Sequence, residues 1–322
     1  MAGLTRRSDS RAQLILVTAL SVAAMLVALT IILNSAIYTQ NLASRSGPMS
    51  TDATKYHSEV VRGSSAVLEY ANEYNGSSSE AVSRNFTAGV ADLSEAAGYR
   101  RAVRGQSVAV EVVSHIEGSR VVQDDRNREF TDANEQNDWT VVSGVDKTDN
   151  RSFVLNVSVS ALPDTCTVIG DCFHLNVTEA GASKNWTVQL REASGSKIEL
   201  AVYNGSGWVT EEFDAPDGYA VIDVRRGIVN GQRHSEFEFA ENVDDTVHYQ
   251  YRAGDMVEGS YTISVDDEGP ADAPGTSLNG TTSTHSPYVR YSVNEATVEI
   301  TYRSDRIRYE SEDTVRSEDD DV

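Results

Sequence analysis

The chain has 322 residues, with 27 basic against 49 acidic side chains and a formal net charge of −22. This acidic excess argues against a surface that binds nucleic acid phosphates. Two cysteines are too few for a disulfide scaffold or a four-thiolate zinc site, and the length allows one or two domains with a sizeable core. Only four of the basic residues are lysines, and the acidic ones run along the whole chain. This composition is typical of proteins in very high salt, where carboxylates barely repel one another.

An uncharged run of twenty residues, Leu14 to Leu33, lies near the N-terminus. A helix of that length matches the hydrocarbon core of a bilayer, about 30 Å thick. Three basic residues precede the run, namely Arg6, Arg7 and Arg11. Because basic flanks stay in the cytoplasm, the sequence predicts a single-pass membrane protein with its N-terminus inside and its C-terminal domain outside the cell.

The junction with this run carries a second signal. Arg11, Ala12 and Gln13 place a basic residue and a small residue directly before the apolar segment. The pattern resembles the class III signal of archaeal type IV pilins and their pilin-like relatives, over about thirty residues. The resemblance implies that a prepilin peptidase cuts between Ala12 and Gln13 and leaves the helix on the mature protein. The fifth mature residue would be Val17, where many bacterial pilins have glutamate, which leaves in-register assembly open.

Two alternatives apply to this segment. An uncut signal anchor would keep its leader and never polymerise. A removable secretory signal has a shorter apolar region, although the residues at 41–43 (Asn-Leu-Ala) leave a cleavage site open. In the pilin-like interpretation, small residues permit close packing between helices of different subunits; they are Ala19, Ala23, Ala24 and Ala28.

The chain divides into five predicted segments: a basic leader (1–12), a transmembrane or pilin-like helix (13–45), a helical stalk (46–102), an extracellular β-rich domain (103–309) and an acidic disordered tail (310–322). The fold class is therefore a membrane-anchored α+β protein with a short helical hairpin and a mostly antiparallel, sandwich-like head. The tail has no apolar period, which is typical of disorder.

The stalk is predicted from helical spacing of apolar residues on both sides of a turn at 75–79. The first set is Tyr56, Val60, Gly63, Val67, Tyr70 and Tyr74, and the second is Val82, Phe86, Gly89, Leu93 and Ala96. Past Gly105 the period changes to two, which indicates strands with one wet face. We expect hairpin turns at 217–218 and 252–255, and the pattern leaves one or two sandwiches open.

The β-rich segment contains most of the residues with assignable chemistry. Eight Asn-x-Ser/Thr sequons are glycosylation candidates on the outer side of the membrane: Asn75, Asn85, Asn150, Asn156, Asn176, Asn185, Asn204 and Asn279. Those at Asn156, Asn176 and Asn185 lie in strand patterns that turn them outward. Outside the cell, Cys166 and Cys172 are expected to form a short disulfide loop.

No motif for catalysis or cofactor binding is present. The six histidines are scattered, and no nucleophile elbow, P-loop or dinucleotide fingerprint occurs. Residues 124–138 are rich in oxygen ligands but lack the glycine and terminal glutamate of an EF-hand, so a solvated loop is favoured over calcium binding. The sequence therefore predicts no enzyme, no metal and no cofactor.

Together these features favour a pilin-like cell-surface subunit of a halophilic archaeon, anchored or assembled through its N-terminal helix, with a glycosylated head outside. Its expected partners are the membrane, a prepilin peptidase and other pilin-like subunits, and no nucleic acid. The alternative is an uncleaved, signal-anchored surface glycoprotein with a binding or envelope role. A surface hydrolase with a cryptic site is a third hypothesis.

Overall fold

A computed structural model describes residues 52–74, 76–166, 171–181, 184–194, 196–234, 237–244, 246–267 and 277–316. The predicted leader, the apolar run, the processing residues Arg11, Ala12 and Gln13, and the packing residues Ala19, Ala23, Ala24 and Ala28 lie outside these ranges, as does the sequon at Asn75. Within them, no helix combines the length and the apolar content needed to cross a bilayer. The chain separates into two compact units, Met1–Ser58 and Glu59–Val322, and all the strands belong to the second.

Two helices precede the strands, as the spacing predicts. Helix α1 covers 52–74 and helix α2 covers Ser79–Ala102. The Ser78 hydroxyl caps α2 by accepting from the Ala81 N–H at 3.2 Å, which satisfies one free donor of the first turn. The helices approach closely at a glycine, because a Cβ at Gly89 would lie 2.6 Å from a methyl carbon of Val67.

The buried face of α1 differs from the predicted one. Tyr70 and Tyr74 were expected on it, yet each is 63% exposed, with their rings 4.7 Å apart. The buried face instead continues from Val60 through Ser64 and Leu68, a four-residue spacing that also follows one helical face. The prediction was wrong because it used apolar residues alone, and Ser64, which lies on the buried face, is polar. On α2, Val82 and Phe86 are buried as predicted, whereas Ala96 is exposed.

The first sheet has eight strands, and every pairing in it is antiparallel. In spatial order they are β10 (Gln232–Arg233), β9 (Ile228–Val229), β8 (Tyr219–Asp223), β3 (Asn150–Ser158), β12 (Gly259–Val265), β1 (Ser107–Gln123), β13 (Tyr288–Arg303) and β14 (Arg308–Arg316). Helix α2 packs on β1 and β13. This places a helical layer on one end of the sheet.

The second sheet has six strands, again all antiparallel. In spatial order they are β2 (Trp139–Asp146), β11 (Thr246–Arg252), β4 (His174–Glu179), β5 (Asn185–Ala193), β6 (Lys197–Tyr203) and β7 (Trp208–Asp214). Residues of both sheets share one hydrophobic core, with Leu155 and Ile263 from the first and Leu175, Trp186 and Tyr249 from the second. The mostly antiparallel β-rich prediction is confirmed, and the two sheets build one domain.

Neither of the two predicted hairpin turns connects neighbouring strands of one sheet. The turn at 217–218 joins β7 to β8, and the turn at 252–255 joins β11 to β12, so each links strands of different sheets. Their backbones do turn, with φ of 77° at Gly218 and 49° at Ala253. Turn-forming residues indicate that the chain reverses locally. They do not indicate which sheet the next strand joins, because that depends on pairing with strands far away in the sequence.

Part of the predicted disordered tail is a strand. Residues 310–316 belong to β14, which pairs with β13 from Glu295↔Arg316 to Arg303↔Arg308. The Arg316 guanidinium lies 2.9 Å from the Glu295 carboxylate, and Val315 is buried. Cross-strand charge pairs and ladder hydrogen bonds replace the apolar alternation that the segment lacks. Residues 317–322 lie outside the described ranges.

Three glutamates lie directly opposite one another across this end of the sheet. Glu111 of β1 faces Glu299 of β13, which faces Glu312 of β14, and all three are exposed. None of them forms an ion pair with a residue in the part of the chain that the structure describes. Like charges opposite each other destabilise a sheet, and salt screens that repulsion because the Debye length falls to about 3 Å at 1 M.

Glu299→Gln is expected to stabilise the protein in low salt by about 0.5–1 kcal/mol, because it removes both like-charge contacts of the central glutamate. The gain should vanish in multimolar salt, where the carboxylates are already screened. Chemical denaturation at both salt concentrations measures it. Glu310→Gln is the control with the opposite sign, since Glu310 pairs with Arg303 and Arg308. An equal gain for Glu299→Gln at both salt concentrations would contradict the explanation.

Candidate glycan-bearing surface

The seven sequon asparagines that the structure describes differ in access. Asn85 is exposed on α2. Asn150 is 1% exposed at the start of β3, so the folded domain does not present its amide to a modifying enzyme. The Asn279 Nδ2 donates to the carbonyl oxygens of His285 at 2.8 Å and Pro287 at 3.1 Å, so the nitrogen that a glycan needs is already occupied.

Two sequons face each other on the outer side of the six-stranded sheet. Asn176 of β4 pairs with Thr187 of β5, and Thr178 of β4 pairs with Asn185 of β5. Each asparagine therefore lies opposite the threonine of the other sequon. The Thr187 hydroxyl donates to Asn176 Oδ1 at 2.9 Å, which leaves the Asn176 nitrogen outside that bond. Their inward neighbours are fully buried, as the alternation predicts: Leu175, Val177 and Trp186.

The sequon at Asn204 lies in the hairpin between β6 and β7. Asn204 Oδ1 accepts from the Ser206 N–H at 3.1 Å and from the Gly207 N–H at 3.4 Å. This is the Asx-turn use of an asparagine, in which the side chain replaces a backbone acceptor. The amide oxygen shapes the turn, and its nitrogen takes no part in these bonds.

Asn156 lies at the floor of a groove on the outer face of the eight-stranded sheet. It pairs with Val221 of β8 on one side and with Ser260 of β12 on the other. The groove, called here the Asn156 groove, has a volume of about 350 Å³. Its floor alternates hydroxyl and apolar side chains, which are Val122, Ser152, Val154, Val221, Ser260 and Thr262.

The rim of the Asn156 groove is charged, and a tyrosine contacts each of its two charged residues. The segment that follows β1 supplies Asp124 and Arg126. Asp124 accepts from Ser286 Oγ at 2.5 Å and from the Tyr288 hydroxyl at 3.0 Å. Burial and the nearby Asp124 carboxylate raise the pKa of Tyr288, so this phenol stays protonated and donates. The Arg126 guanidinium lies 6.0 Å from the ring centre of Tyr219, a cation–π distance.

The oxygen-rich segment 124–138 is a mostly exposed loop without helix or strand, and only its centre, 130–132, is buried. Asp132 is 3% exposed, and its Oδ1 accepts from the backbone N–H groups of Asn134 at 2.7 Å and Gln136 at 2.8 Å. This carboxylate therefore caps a turn. In the described ranges, no three His, Cys, Asp or Glu side chains are grouped so that they could hold a metal ion.

Cys166 and Cys172 are joined by a disulfide, with their Cα atoms 5.6 Å apart. Next to it, His174 is 8% exposed, and its Nδ1–H donates to the Cys172 carbonyl oxygen at 2.8 Å. Burial lowers the pKa of His174 below 6.5, because the imidazolium loses its hydration. The hydrogen bond to Cys172 opposes this effect only in part.

His174 is expected to make stability depend on pH. The lowered pKa means that the unfolded chain binds the proton first, so stability present above about pH 6.5 is lost as the pH falls toward the folded-state value. His174→Asn keeps a donor for the Cys172 carbonyl and removes the titration. Urea unfolding at several pH values should therefore show a shallower acid loss in the variant than in the unmodified protein. Parallel curves would contradict the prediction.

The family described as "Family of unknown function (DUF7261)" matches residues 8–169. The chain belongs to this family. The matched part of this DUF7261 protein includes the apolar run at 14–33, both helices, β1, β2 and β3. No curated protein and no solved structure matches the chain. The groove residues Val221, Ser260 and Thr262 lie beyond the region that the family description covers.

Which sequons are accessible could not be found from the sequence. Asn85 and Asn150 have equivalent motifs, yet one is exposed and the other is buried. The Asn156 groove brings together residues from β1, β3, β8 and β12. The only local signal for it is the outward position of Asn156 between the buried Leu155 and Val157.

Proposed function

We propose that this DUF7261 protein is a pilin-like subunit of a cell surface, anchored or assembled through its N-terminal apolar helix, with a glycosylated β domain outside. The observation that carries the proposal is the uncharged run from Leu14 to Leu33 directly behind Arg11, Ala12 and Gln13. A run of that length can span a bilayer, and the residues before it suit a prepilin peptidase.

The described domain supports an extracellular position. Its Cys166–Cys172 disulfide belongs to an oxidising compartment. Of its sequons, Asn85 is exposed and Asn156 lines an open groove, so both asparagines can be reached in the folded domain. The exposed glutamate row at Glu111, Glu299 and Glu312 suits a domain that works in concentrated salt.

The deciding measurement is the mass and N-terminal sequence of the protein purified from its native membrane. A chain that begins at Gln13 supports processing by a prepilin peptidase and makes filament membership the leading interpretation. A chain that keeps Arg6 and Arg7 would contradict it. That result would support the alternative, a signal-anchored surface glycoprotein whose groove at Asn156 has a binding role.

Assembly is tested separately from processing. Ala24→Phe is expected to impair packing between subunit helices, because a bulky side chain replaces a small one where close approach is needed. Membrane insertion should be unaffected, since the run stays apolar. The control is Leu29→Phe, which lies on the side of the same helix opposite the centre of the alanine face, so it adds an aromatic ring off the proposed packing face. Filament yield from cell surfaces measures both, and normal filaments with Ala24→Phe would contradict helix packing at this residue.

A further inference from the structure

We propose that the Asn156 groove holds the first sugars of a glycan attached to Asn156 itself. The inference rests on the proposed function, because glycosylation requires the β domain to lie outside the cell. The ligand is thus a saccharide that is covalently attached to this chain, at the floor of the groove that binds it.

The geometry of Asn156 supports attachment at this residue. Asn156 and Ser158 complete the sequon on the outward face of β3. The Oδ1 atom of Asn156 is buried, and no described residue bonds to it. Asn156 itself lines the groove, so a sugar attached to its amide starts at the groove floor. Asn279, by contrast, has its nitrogen engaged by two carbonyls.

The lining suits a saccharide. Sugars present hydroxyl groups at their edges and C–H groups on their faces, so they need donors, acceptors and apolar contact at short intervals. The groove floor alternates Ser260 and Thr262 hydroxyls with the apolar side chains of Val154 and Val221. Pockets that bind small ligands combine an apolar lining with a few placed polar groups in the same way.

The rim supplies the stronger contacts. Tyr219 lies beside Arg126 of the rim and is 38% exposed, so a sugar that extends past Arg126 can stack on its ring. The Asp124 carboxylate accepts from Ser286 and Tyr288 and, with two oxygens, retains capacity to accept sugar hydroxyls. Arg126 forms no ion pair in the described ranges, so its guanidinium donors are available to sugar oxygens.

The volume limits what is held. About 350 Å³ is near the lower end of the 300–1,000 Å³ range of ligand pockets. The groove therefore receives the sugars closest to Asn156, and the remainder of the glycan leaves through its open side toward solvent.

The covalent step needs a glycosyl phosphate donor and a separate transferase. The Asn156 amide nitrogen forms a bond to the anomeric carbon of the donor, and the bond from that carbon to the phosphate oxygen breaks. The nitrogen loses one proton, and the phosphate leaves with the electron pair of the broken bond. No oxidant or reductant is required.

The test uses the protein from its native membrane and compares how fast the core sugars of each glycan are oxidised by periodate. Glycopeptide mass spectrometry follows Asn156 and the exposed Asn85 in the same sample. We expect the innermost sugars on Asn156 to react about tenfold more slowly, the protection that one or two net hydrogen bonds would give. Equal rates at Asn156 and Asn85 would overturn the proposal.

Variants assign the protection to the groove. Arg126→Ala combined with Tyr219→Ala removes the guanidinium of the rim and the ring beside it, and should bring the Asn156 rate close to that of Asn85. Trp208→Ala is the matched control, because Trp208 is an aromatic residue, 52% exposed, on β7 of the other sheet. Protection that survives Tyr219→Ala and Arg126→Ala together would overturn the proposal.

The occupancy data separate this inference from the proposed function. Sugar on Asn85 with an unmodified Asn156 would overturn the groove proposal and leave the surface location supported. Unmodified asparagine at every sequon, together with an N-terminus that keeps Arg6, would count against both. Binding of a free saccharide by protein with a bare Asn156 would show that the groove serves another molecule, and would also overturn the proposal.

Discussion

Asn72→Leu is expected to lower the free energy of unfolding by about 2–5 kcal/mol. The Asn72 side chain is 2% exposed and bonds twice to one residue of β13. Its Oδ1 accepts from the Val293 N–H at 2.8 Å, and its Nδ2 donates to the Val293 carbonyl oxygen at 2.9 Å. Leucine of similar volume leaves both backbone groups buried without a partner, and each such loss costs about 1–3 kcal/mol.

The measurement is chemical denaturation followed by tryptophan fluorescence. Asn72→Asp is the informative partner, because aspartate still accepts from the Val293 N–H but offers no donor to the carbonyl oxygen, so we expect an intermediate loss. Asn85→Leu controls for the same substitution at an exposed helical residue, where effects stay within about 0.5 kcal/mol. A loss below 1 kcal/mol for Asn72→Leu would mean that the double hydrogen bond contributes little to docking α1 on β13.

Asn72 also shows what the sequence could not reveal. Its partner is 221 residues away along the chain, and a polar residue within an amphipathic pattern is ordinarily assigned to the wet face. For the same reason the buried face of α1 was predicted wrongly: Ser64 is buried and Tyr70 is exposed. Helical spacing identified the two helices, whereas tertiary contacts decided which side of α1 is buried.

Strand prediction succeeded for the longer strands that lie between two others. Period-two alternation identified β1, β3, β4, β5, β6, β8, β11, β12 and β13, which all have a strand on each side. It passed over the edge strands β2, β7, β10 and β14 and the two-residue strand β9. An edge strand such as β7 buries little, and of its seven residues only Phe213 is classed as buried. Its formation depends on pairing with β6, which a single-sequence pattern does not contain.

The candidate glycosylation sites could be found from the sequence, but their accessibility could not. Sequons are short motifs, so the sequence identifies all of them without ranking them. Access depends on the strand order, which buries Asn150 beside β12 and places Asn156 between Val221 and Ser260. Only the folded chain makes that distinction.

Phe130→Ala is expected to lower the free energy of unfolding by about 3–5 kcal/mol, the usual cost of truncating a buried phenylalanine. Phe130 is fully buried although it lies in the acidic, oxygen-rich segment. Its ring centre lies 5.4 Å from that of Phe173 and 5.0 Å from that of Tyr261, both edge-to-face. Its carbonyl oxygen accepts from Trp139 Nε1 at 2.9 Å, so backbone and ring together fix the segment in the core.

The same residue positions the rim of the Asn156 groove, because Asp124 and Arg126 belong to the segment that Phe130 fixes. Phe130→Leu keeps much of the volume and should cost less than alanine, while Met256→Ala, at a residue 36% exposed, should change stability by at most about 0.5 kcal/mol. Denaturant titration measures stability, and amide hydrogen exchange at 124–128 measures the freedom of the rim. Faster exchange there with Phe130→Ala, under conditions where the domain stays folded, would link the core to the groove. Unchanged exchange would show that Ser286 and Tyr288 hold Asp124 without help from Phe130.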